Sequence, residues 1–271
     1  MVWSEVFNCP HCGKEVIYFN TAVDEETYEI NKDFKCPNCA AELDKKSLQR
    51  QWISYYDESL NETHRQVRYV PVLINYQIGK NRYEKKPDNA DLVLLKRIED
   101  AAIQDWFPVL AMPEGERKSK DGYHLKGITH LHHFYFRRAM VVYAKLWEKV
   151  QSCSNPFVRF FVQGNGLTTT KMNRYRRTAF SQVNQYMSGT LFVGSLISEV
   201  SPEYSMTNKL KRLLKLFIPG SYGQTTITCQ STTNIKELPD RSLDYIFIDP
   251  PFGNNLHYSE LNFFWEAWLM F

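Results

Sequence analysis

The sequence predicts a mixed α/β fold in three parts: a four-cysteine module over residues 1–45, an α+β region over 46–200, and part of a parallel α/β sheet over 201–271. Three observations predict this. Two CxxC pairs lie close to the N terminus, and the residues after them mix alternating and helical patterns. In the last part, apolar strand-like runs are separated by helical patterns, which is typical of a parallel sheet covered on both faces.

The composition is that of an ordinary globular protein. Of the 271 residues, 43% are hydrophobic and 23% are charged. No apolar run approaches the roughly 18 residues that a membrane span needs, and the first residues do not resemble a secretory signal. We therefore expect a cytoplasmic protein with no membrane partner. The net charge of +3 is too small to indicate nucleic-acid binding by itself.

The first part contains four cysteines in a C-x2-C-x23-C-x2-C pattern: Cys9, Cys12, Cys36 and Cys39. Four thiolates suit tetrahedral Zn²⁺ and leave no coordination position for catalysis, so the pattern predicts a zinc ribbon with a structural ion. Four unrelated reduced cysteines and an iron–sulfur cluster are the alternatives. His11 is expected to be a bystander, and Cys153 and Cys229 are expected to be ordinary thiols.

The second part is predicted to hold a polar helix over Leu43–Trp52, an alternating strand over Arg68–Ile78, a helix over Asn89–Ile103 and a loop over Glu114–Gly122. A long helix is expected over Thr129–Val150, with Thr129 as its N-cap.

Three histidines, His130, His132 and His133, stand at the start of that long helix. They contain no i, i+4 pair, and no acidic residue sits at a supporting spacing. Helix-start or packing roles are therefore expected for them in preference to metal binding.

The third part begins with a helix from Met206 whose apolar residues recur at i, i+3, i+4 and i+7: Leu210, Leu213, Leu214 and Phe217. This spacing predicts one buried helix face. Strands are predicted over Thr225–Gln230 and Leu243–Ile248, and a buried helix over Tyr258–Met270.

The predicted strand Leu243–Ile248 is followed directly by Asp249, Pro250, Pro251 and Phe252. Ligands of open parallel sheets bind at the carboxyl ends of the strands. The prolines restrict the backbone, so that its carbonyls would point outward beside the Asp249 carboxylate and accept the N–H groups of an exocyclic amine. Phe252 would stack on an extruded base, and Gly253 leaves room beside it. A Pro-Pro turn with an aspartate cap is the alternative.

The stretch "LPDRSLDYIFIDPPFG" resembles the motif IV region of amino-methylating DNA methyltransferases. Together with the cysteine pairs, "YVPVLINYQIGKNRYEKKP", "GITHLHHFYFRRAMVVYAKLWE" and "SGTLFVGSLISEVSP", it is similar to the adenine-specific DNA methylases with an inserted zinc ribbon. The resemblance implies a class I, Rossmann-like methyltransferase fold that transfers a methyl group from S-adenosylmethionine to adenine N6.

The resemblance also implies roles for individual residues. The base would be held by Asp249, Pro250, Pro251 and Phe252, and the cofactor would contact Ser231, Asp249 and Gly253. Asn254, Asn255 and Tyr258 would line the same pocket, with His257 close by. DNA would be the partner, within a restriction-modification system.

The sequence departs from this family, because no glycine-rich cofactor turn is found in it. The nearest glycine pairs, Gly164–Gly166 and Gly220–Gly223, do not open a helix after a clear strand. Relative to the family, the chain is expected to be truncated at both ends, so its activity stays open. The alternatives are a non-catalytic zinc-dependent DNA-binding or interaction remnant, and methylation of RNA or protein.

Basic residues interleaved with aromatic ones are candidates for phosphate contacts in the DNA-binding hypothesis. They are Lys171, Arg174, Arg176 and Arg177 around Tyr175, and Arg137 and Arg138 after "HFYF". A solvated helix face is the alternative reading.

Overall fold

The computed structural model describes residues 1–24, 26–27, 29–177, 182–215, 227–228, 230–231, 233, 235, 238–250 and 257–269. Ten strands lie in this part of the chain: β1 (Val2–Asn8), β2 (Glu15–Ile17), β3 (Asp33–Lys35), β4 (Glu42–Asp44), β5 (Gln49–Arg50), β6 (Trp52–Asp57), β7 (Glu62–Val67), β8 (Tyr69–Ile78), β9 (Asn81–Lys85) and β10 (Leu196–Ser198). Its α-helices are α1 (Tyr18–Ala22), α2 (Asn89–Glu99), α3 (Glu116–Asp121), α4 (Arg137–Gln151), α5 (Pro156–Gln163), α6 (Pro202–Leu214) and α7 (Tyr258–Leu269).

The main sheet is antiparallel and curls around β1. Its order is β10-β1-β8-β9, and the far end of β1 also pairs with β2 and β5. Two hairpin pairs, β3–β4 and β6–β7, complete the strands of the described residues. Six of the seven residues of β1 are buried, because this strand is covered on both faces as well as paired on both edges.

The mixed α/β class is confirmed, but the predicted parallel, Rossmann-like sheet is not, because every strand pair of the described residues is antiparallel. The strand predicted over Leu243–Ile248 is wrong: these residues form no strand, and Tyr245 and Phe247 are each 80% exposed. An apolar run becomes a buried strand only if neighbouring strands pair with it, and the described strands pair elsewhere. Half of the strand predicted over Thr225–Gln230 lies outside the described residues.

Helices α4 and α7 form the largest core, against the inner side of the main sheet. The buried residues of α4 recur at helical spacing: Ala139, Met140, Tyr143, Ala144, Trp147 and Val150. From α7, Phe264, Ala267 and Trp268 enter the same core. The Trp268 ring lies 4.5 Å from that of Tyr143 and 5.6 Å from that of Trp147, centroid to centroid. This aromatic packing fixes the helix that follows the Asp-Pro-Pro-Phe segment.

The buried carboxylate of Glu260 attaches the start of α7 to the start of α3, which lies far away in the chain. Glu260 is 9% exposed, and its two oxygens accept the backbone N–H groups of Glu116 (3.1 Å) and Arg117 (2.8 Å) at the start of α3. His257 lies beside it, 2.9 Å from the Glu116 carboxylate. A carboxylate at a helix start satisfies N–H groups that have no partner within the helix.

Substituting Gly115 with alanine is expected to disturb this attachment. The Gly115 φ of 175° is extended backbone that alanine adopts, but its Cβ would lie 2.3 Å from the Glu260 carboxyl carbon. The carboxylate would have to withdraw and lose its hydrogen bonds, at a cost of about 1–3 kcal/mol. Urea unfolding checks this. In a Glu260→Ala background the same substitution should cost little, and an equal cost in both backgrounds would refute the contact.

The main sheet also encloses a buried ion pair. The Glu5 side chain is fully buried and pairs with the Lys126 ammonium; it also accepts from Ser195 Oγ (2.7 Å) and Arg50 Nε (2.9 Å). Lys126 donates further to the Tyr69 hydroxyl at 3.0 Å. Burial lowers the pKa of Lys126 to about 8, although the Glu5 charge opposes this effect.

Several local predictions need correction. The helix predicted over Leu43–Trp52 is wrong, because pairing with β3 and β1 makes these residues β4, β5 and the start of β6. The loop predicted over Glu114–Gly122 contains α3. The leucine stripe of α6 is not buried: Leu210 is 45% and Leu214 62% exposed.

The strand over Arg68–Ile78 is confirmed as β8, and the helix from Asn89 is confirmed as α2 with a capping box between Asp88 and Asp91.

The helix predicted over Thr129–Val150 begins later than expected. A 3₁₀ turn covers Leu131–Phe134, and α4 starts at Arg137 with no side-chain cap, so the Thr129 N-cap is wrong. Residues near Thr129 pair instead with a neighbouring segment, since the Met112 N–H donates to Thr129 O (2.9 Å) and the Leu131 N–H donates to Leu110 O (3.0 Å). Tertiary pairing has overridden the helical pattern here.

Within the described ranges, none of the helices combines the length and apolar character that crossing a bilayer would require. The three-part division at residues 45 and 200 stays a prediction.

Candidate metal centre

Two similar turns position the cysteines. In the first, the Gly13 N–H donates to Cys9 O and the Cys9 N–H donates to Lys14 O, both at 2.9 Å. In the second, the Ala40 N–H donates to Cys36 O at 2.9 Å. Gly13 and Ala40 have left-handed φ values of 71° and 59°, which glycine adopts easily and alanine rarely. Each turn brings its two thiols to the same side.

The four sulfur atoms lie at the spacing of a tetrahedral metal site. Cys9 Sγ is 3.9 Å from Cys39 Sγ, Cys12 Sγ is 3.8 Å from Cys36 Sγ, and all four lie within 4.8 Å of one another. Tetrahedral zinc with Zn–S bonds of about 2.3 Å places its sulfurs about 3.8 Å apart. The cluster therefore could hold a metal ion such as zinc. His11 is exposed on the first turn and stands outside the cluster.

The surroundings of the cluster suit thiolates. A small apolar core formed by Val16, Tyr18, Phe34 and Leu43 lies beside Cys9 and Cys36. Burial raises the pKa of the Cys36 thiol, but the N–H groups of Asn38 (3.4 Å from Cys36 Sγ) and Cys39, together with the neighbouring thiols, outweigh it and lower the pKa to about 6. The same neighbouring thiols raise the pKa of Cys39 to about 12. Hydrogen bonds of this kind, made to the atom that binds the metal, orient that atom and tune its affinity for the metal.

The residues predicted to bind base and cofactor are not assembled in the described part of the chain. Asp249 and Pro250 are exposed and lie in no helix or strand, while Pro251, Phe252 and Gly253 lie outside the described residues. Ser231 is exposed as well, and its hydroxyl bonds to that of Thr233 at 2.8 Å. Of the predicted site residues that the structure describes, it brings together the four cysteines.

Part of the basic cluster predicted to contact DNA is used inside the protein. Lys171 is 7% exposed and donates to His133 O (2.9 Å) and Gln66 Oε1 (3.1 Å); burial lowers its pKa to about 8. Arg138 donates to the buried Glu199 carboxylate at 3.0 Å. A phosphate contact is therefore wrong for Lys171, whose ammonium faces the interior.

Sequence reasoning missed a group of histidines that the fold assembles. His64 and Asp57, from the β6–β7 hairpin, lie against His130, His132 and His133. The histidine-rich stretch was visible in the sequence, but its partners lie more than 60 residues earlier and no spacing rule connects them.

Comparison with protein-family models, with curated proteins and with solved structures finds no match for this chain.

Proposed function

We propose that this chain is a zinc-stabilised segment of a DNA methyltransferase that acts on adenine N6, with Asp249, Pro250, Pro251 and Phe252 as its base-binding loop. The observation that carries the proposal is the Asp-Pro-Pro-Phe sequence itself. Five residues separate Phe252 from α7, a helix anchored in the main core. The exposure of Asp249 and Pro250 supports it, because a base must reach them from solvent.

In this proposal the loop binds an extruded adenine. The Asp249 carboxylate and the Pro250 carbonyl accept the two N–H bonds of the exocyclic amine, which fixes its position and weakens the delocalisation of its lone pair into the ring. Phe252 stacks on the base, an interaction worth about 1–3 kcal/mol in single-strand binding proteins. Helix α7, which packs in the main core, follows the loop in the chain.

The cofactor does not fit the described residues. Ser231 and Asp249 are both exposed. The described strands form an antiparallel sheet, and no glycine-rich turn of the described residues opens towards Ser231 or Asp249. The described residues therefore define no methyl-transfer step.

Zn²⁺ does fit its proposed site, and we assign it a structural role. The four thiolates of Cys9, Cys12, Cys36 and Cys39 would complete its coordination, so no position remains for a substrate. The ion would fix the N-terminal module to the end of β1. This strand pairs with β2 of the module and with β8 of the main sheet.

The four-cysteine cluster, which could hold a metal ion, supports a second candidate function, a non-catalytic zinc-dependent DNA-binding or interaction module. Calorimetric titration with S-adenosylmethionine separates the two candidates. Binding of the cofactor supports the methyltransferase; affinity for duplex DNA without any cofactor binding supports the second candidate.

The base-binding role of Asp249 has its own test in methyl transfer to DNA from labelled S-adenosylmethionine. In protein that binds the cofactor, Asp249→Ala is expected to lower methylation by about 10²–10⁴-fold, the range typical of a positioned proton acceptor. Asp244→Ala is the matched control, since Asp244 is also exposed and lies in the same apolar run. Equal turnover in the two variants would exclude the proposed role of Asp249.

A further inference from the structure

A cluster of four histidines and one aspartate joins two segments that are far apart in the chain. Asp57 ends β6 and His64 lies in β7, whereas His130, His132 and His133 lie in the turn before α4. The His64 ring centroid is 5.2 Å from that of His133 and 5.7 Å from that of His130, and the last two are 5.3 Å apart. Three imidazoles thus face one small volume.

The aspartate determines which nitrogens of the buried rings are available. Asp57 Oδ2 accepts from Nε2 of His132 (2.7 Å) and from Nε2 of His133 (2.9 Å), while Asp57 Oδ1 accepts from the Ser59 N–H (3.0 Å). A neutral imidazole that donates from Nε2 has its lone pair on Nδ1. His133 therefore presents Nδ1 as an electron-pair donor on the side away from Asp57.

The remaining ring nitrogens converge near Thr129. Nδ1 of His133 accepts the Thr129 backbone N–H (3.3 Å), which a bound metal ion would replace, and it also lies 3.3 Å from Thr129 Oγ1. Nδ1 of His130 lies 2.9 Å from the same oxygen. A threonine hydroxyl has one proton, so it can donate to only one of the two rings at a time. One ring nitrogen from each of His64, His130 and His133 lies within 4.8 Å of the others.

His64 supplies a second, independent observation. Its side chain is 14% exposed, and its Nε2 is buried without a hydrogen bond to any described residue. The Glu62 carboxylate lies 3.5 Å from His64 Nε2, but the geometry of this contact is not that of a hydrogen bond. A buried nitrogen without a partner costs about 1–3 kcal/mol, and a metal ion would remove this cost.

We propose that His64, His130 and His133 bind a divalent transition-metal ion of the Zn²⁺ class, at a second metal site separate from the four cysteines. Three neutral imidazoles suit zinc and its neighbours in the first transition row. Zn–N bonds of about 2.0–2.1 Å require nitrogens about 3.4 Å apart in a tetrahedron, so the three rings move closer together when the ion binds. A fourth position remains for water.

Asp57 is a positioning residue in this proposal. It accepts a hydrogen bond from the ring N–H of His133, at the nitrogen that does not bind the metal; such a bond fixes the tautomer and orientation of a ligating histidine.

The test measures zinc bound per full-length chain after equilibration with a zinc buffer. The wild type is expected to bind two equivalents. His64→Ala and His130→Ala should each bind one, and Cys36→Ser should retain the equivalent held by the histidines. His11→Ala is the control, because His11 is an exposed histidine outside both clusters, and it should bind two.

Two further variants keep the test decisive. His64→Gln retains a polar side chain of similar size, so an equivalent lost in a variant whose circular dichroism is unchanged reflects ligation and not misfolding. Asp57→Asn should still bind two equivalents, with affinity at the histidine site lowered by about 10–100-fold. One equivalent in both the wild type and His64→Gln would overturn the proposal, as would loss of metal on His132→Ala but not on His64→Ala.

Discussion

Replacing Cys36 with serine is expected to remove zinc from the four-cysteine cluster and to unfold the N-terminal module. Apart from a small apolar core, this module is held by short strands, three of them with only three residues each. Zinc binding contributes on the order of 10 kcal/mol of folding free energy in modules of this kind. Loss of one thiolate leaves three ligands and removes most of that contribution.

Zinc content and amide hydrogen exchange measure this effect. Residues between Cys9 and Cys39 should lose protection in Cys36→Ser, whereas α4 and α7, which pack in a separate core, should keep theirs. Cys153→Ser is the matched control, since Cys153 is a free, partly buried thiol outside the cluster. A Cys36→Ser protein with unchanged zinc at the cysteine site and unchanged protection would contradict the assignment.

Replacing Glu5 with alanine is expected to lower the free energy of unfolding by about 3–5 kcal/mol, because it leaves the Lys126 ammonium buried without its counter-charge. The Glu5 side chain is fully buried, and that of Lys126 is 8% exposed. The remaining partners of Lys126, the Tyr69 hydroxyl and Gly194 O, are neutral and compensate only in part.

Urea unfolding of three variants checks the role of Glu5. The control is Glu114→Ala, which breaks the i, i+4 pair with Lys118; the Glu114 side chain is 82% exposed, and such pairs contribute at most about 1 kcal/mol. The double variant Glu5→Met, Lys126→Met should recover most of the lost stability, since it removes both buried charges. A Glu5→Ala cost no larger than that of Glu114→Ala would show that the buried pair is not stabilising.

The sequence predicted best those features that depend on neighbouring residues. The pairs Cys9–Cys12 and Cys36–Cys39 each form a local turn, and the structure brings all four sulfurs together. The alternation in Arg68–Ile78 predicted β8, and Asp88 with Asp91 marked the start of α2. In each case the signal lies within a few residues of the structure that it specifies.

Predictions that depended on distant partners were less successful. Leu243–Ile248 has the composition of a buried strand, but a strand needs neighbours to pair with, and among the described residues this segment has none. The stripe of α6 has helical spacing, yet Leu210 and Leu214 face away from the described core. Lys171 resembled a phosphate contact until the fold placed its ammonium next to a buried carbonyl, His133 O.

By itself, the amino-acid sequence determined the four-cysteine pattern, strand β8, the start of α2 and the Asp-Pro-Pro-Phe hypothesis, since these are read from short spacings and side-chain chemistry. Only the tertiary structure decided that the sheet is antiparallel, that Glu5 and Lys126 form a buried pair, and that His64 meets His130 and His133. The physical reason is that strand pairing and side-chain convergence join residues tens of positions apart, and a local pattern carries no information about which distant segment will pack against it.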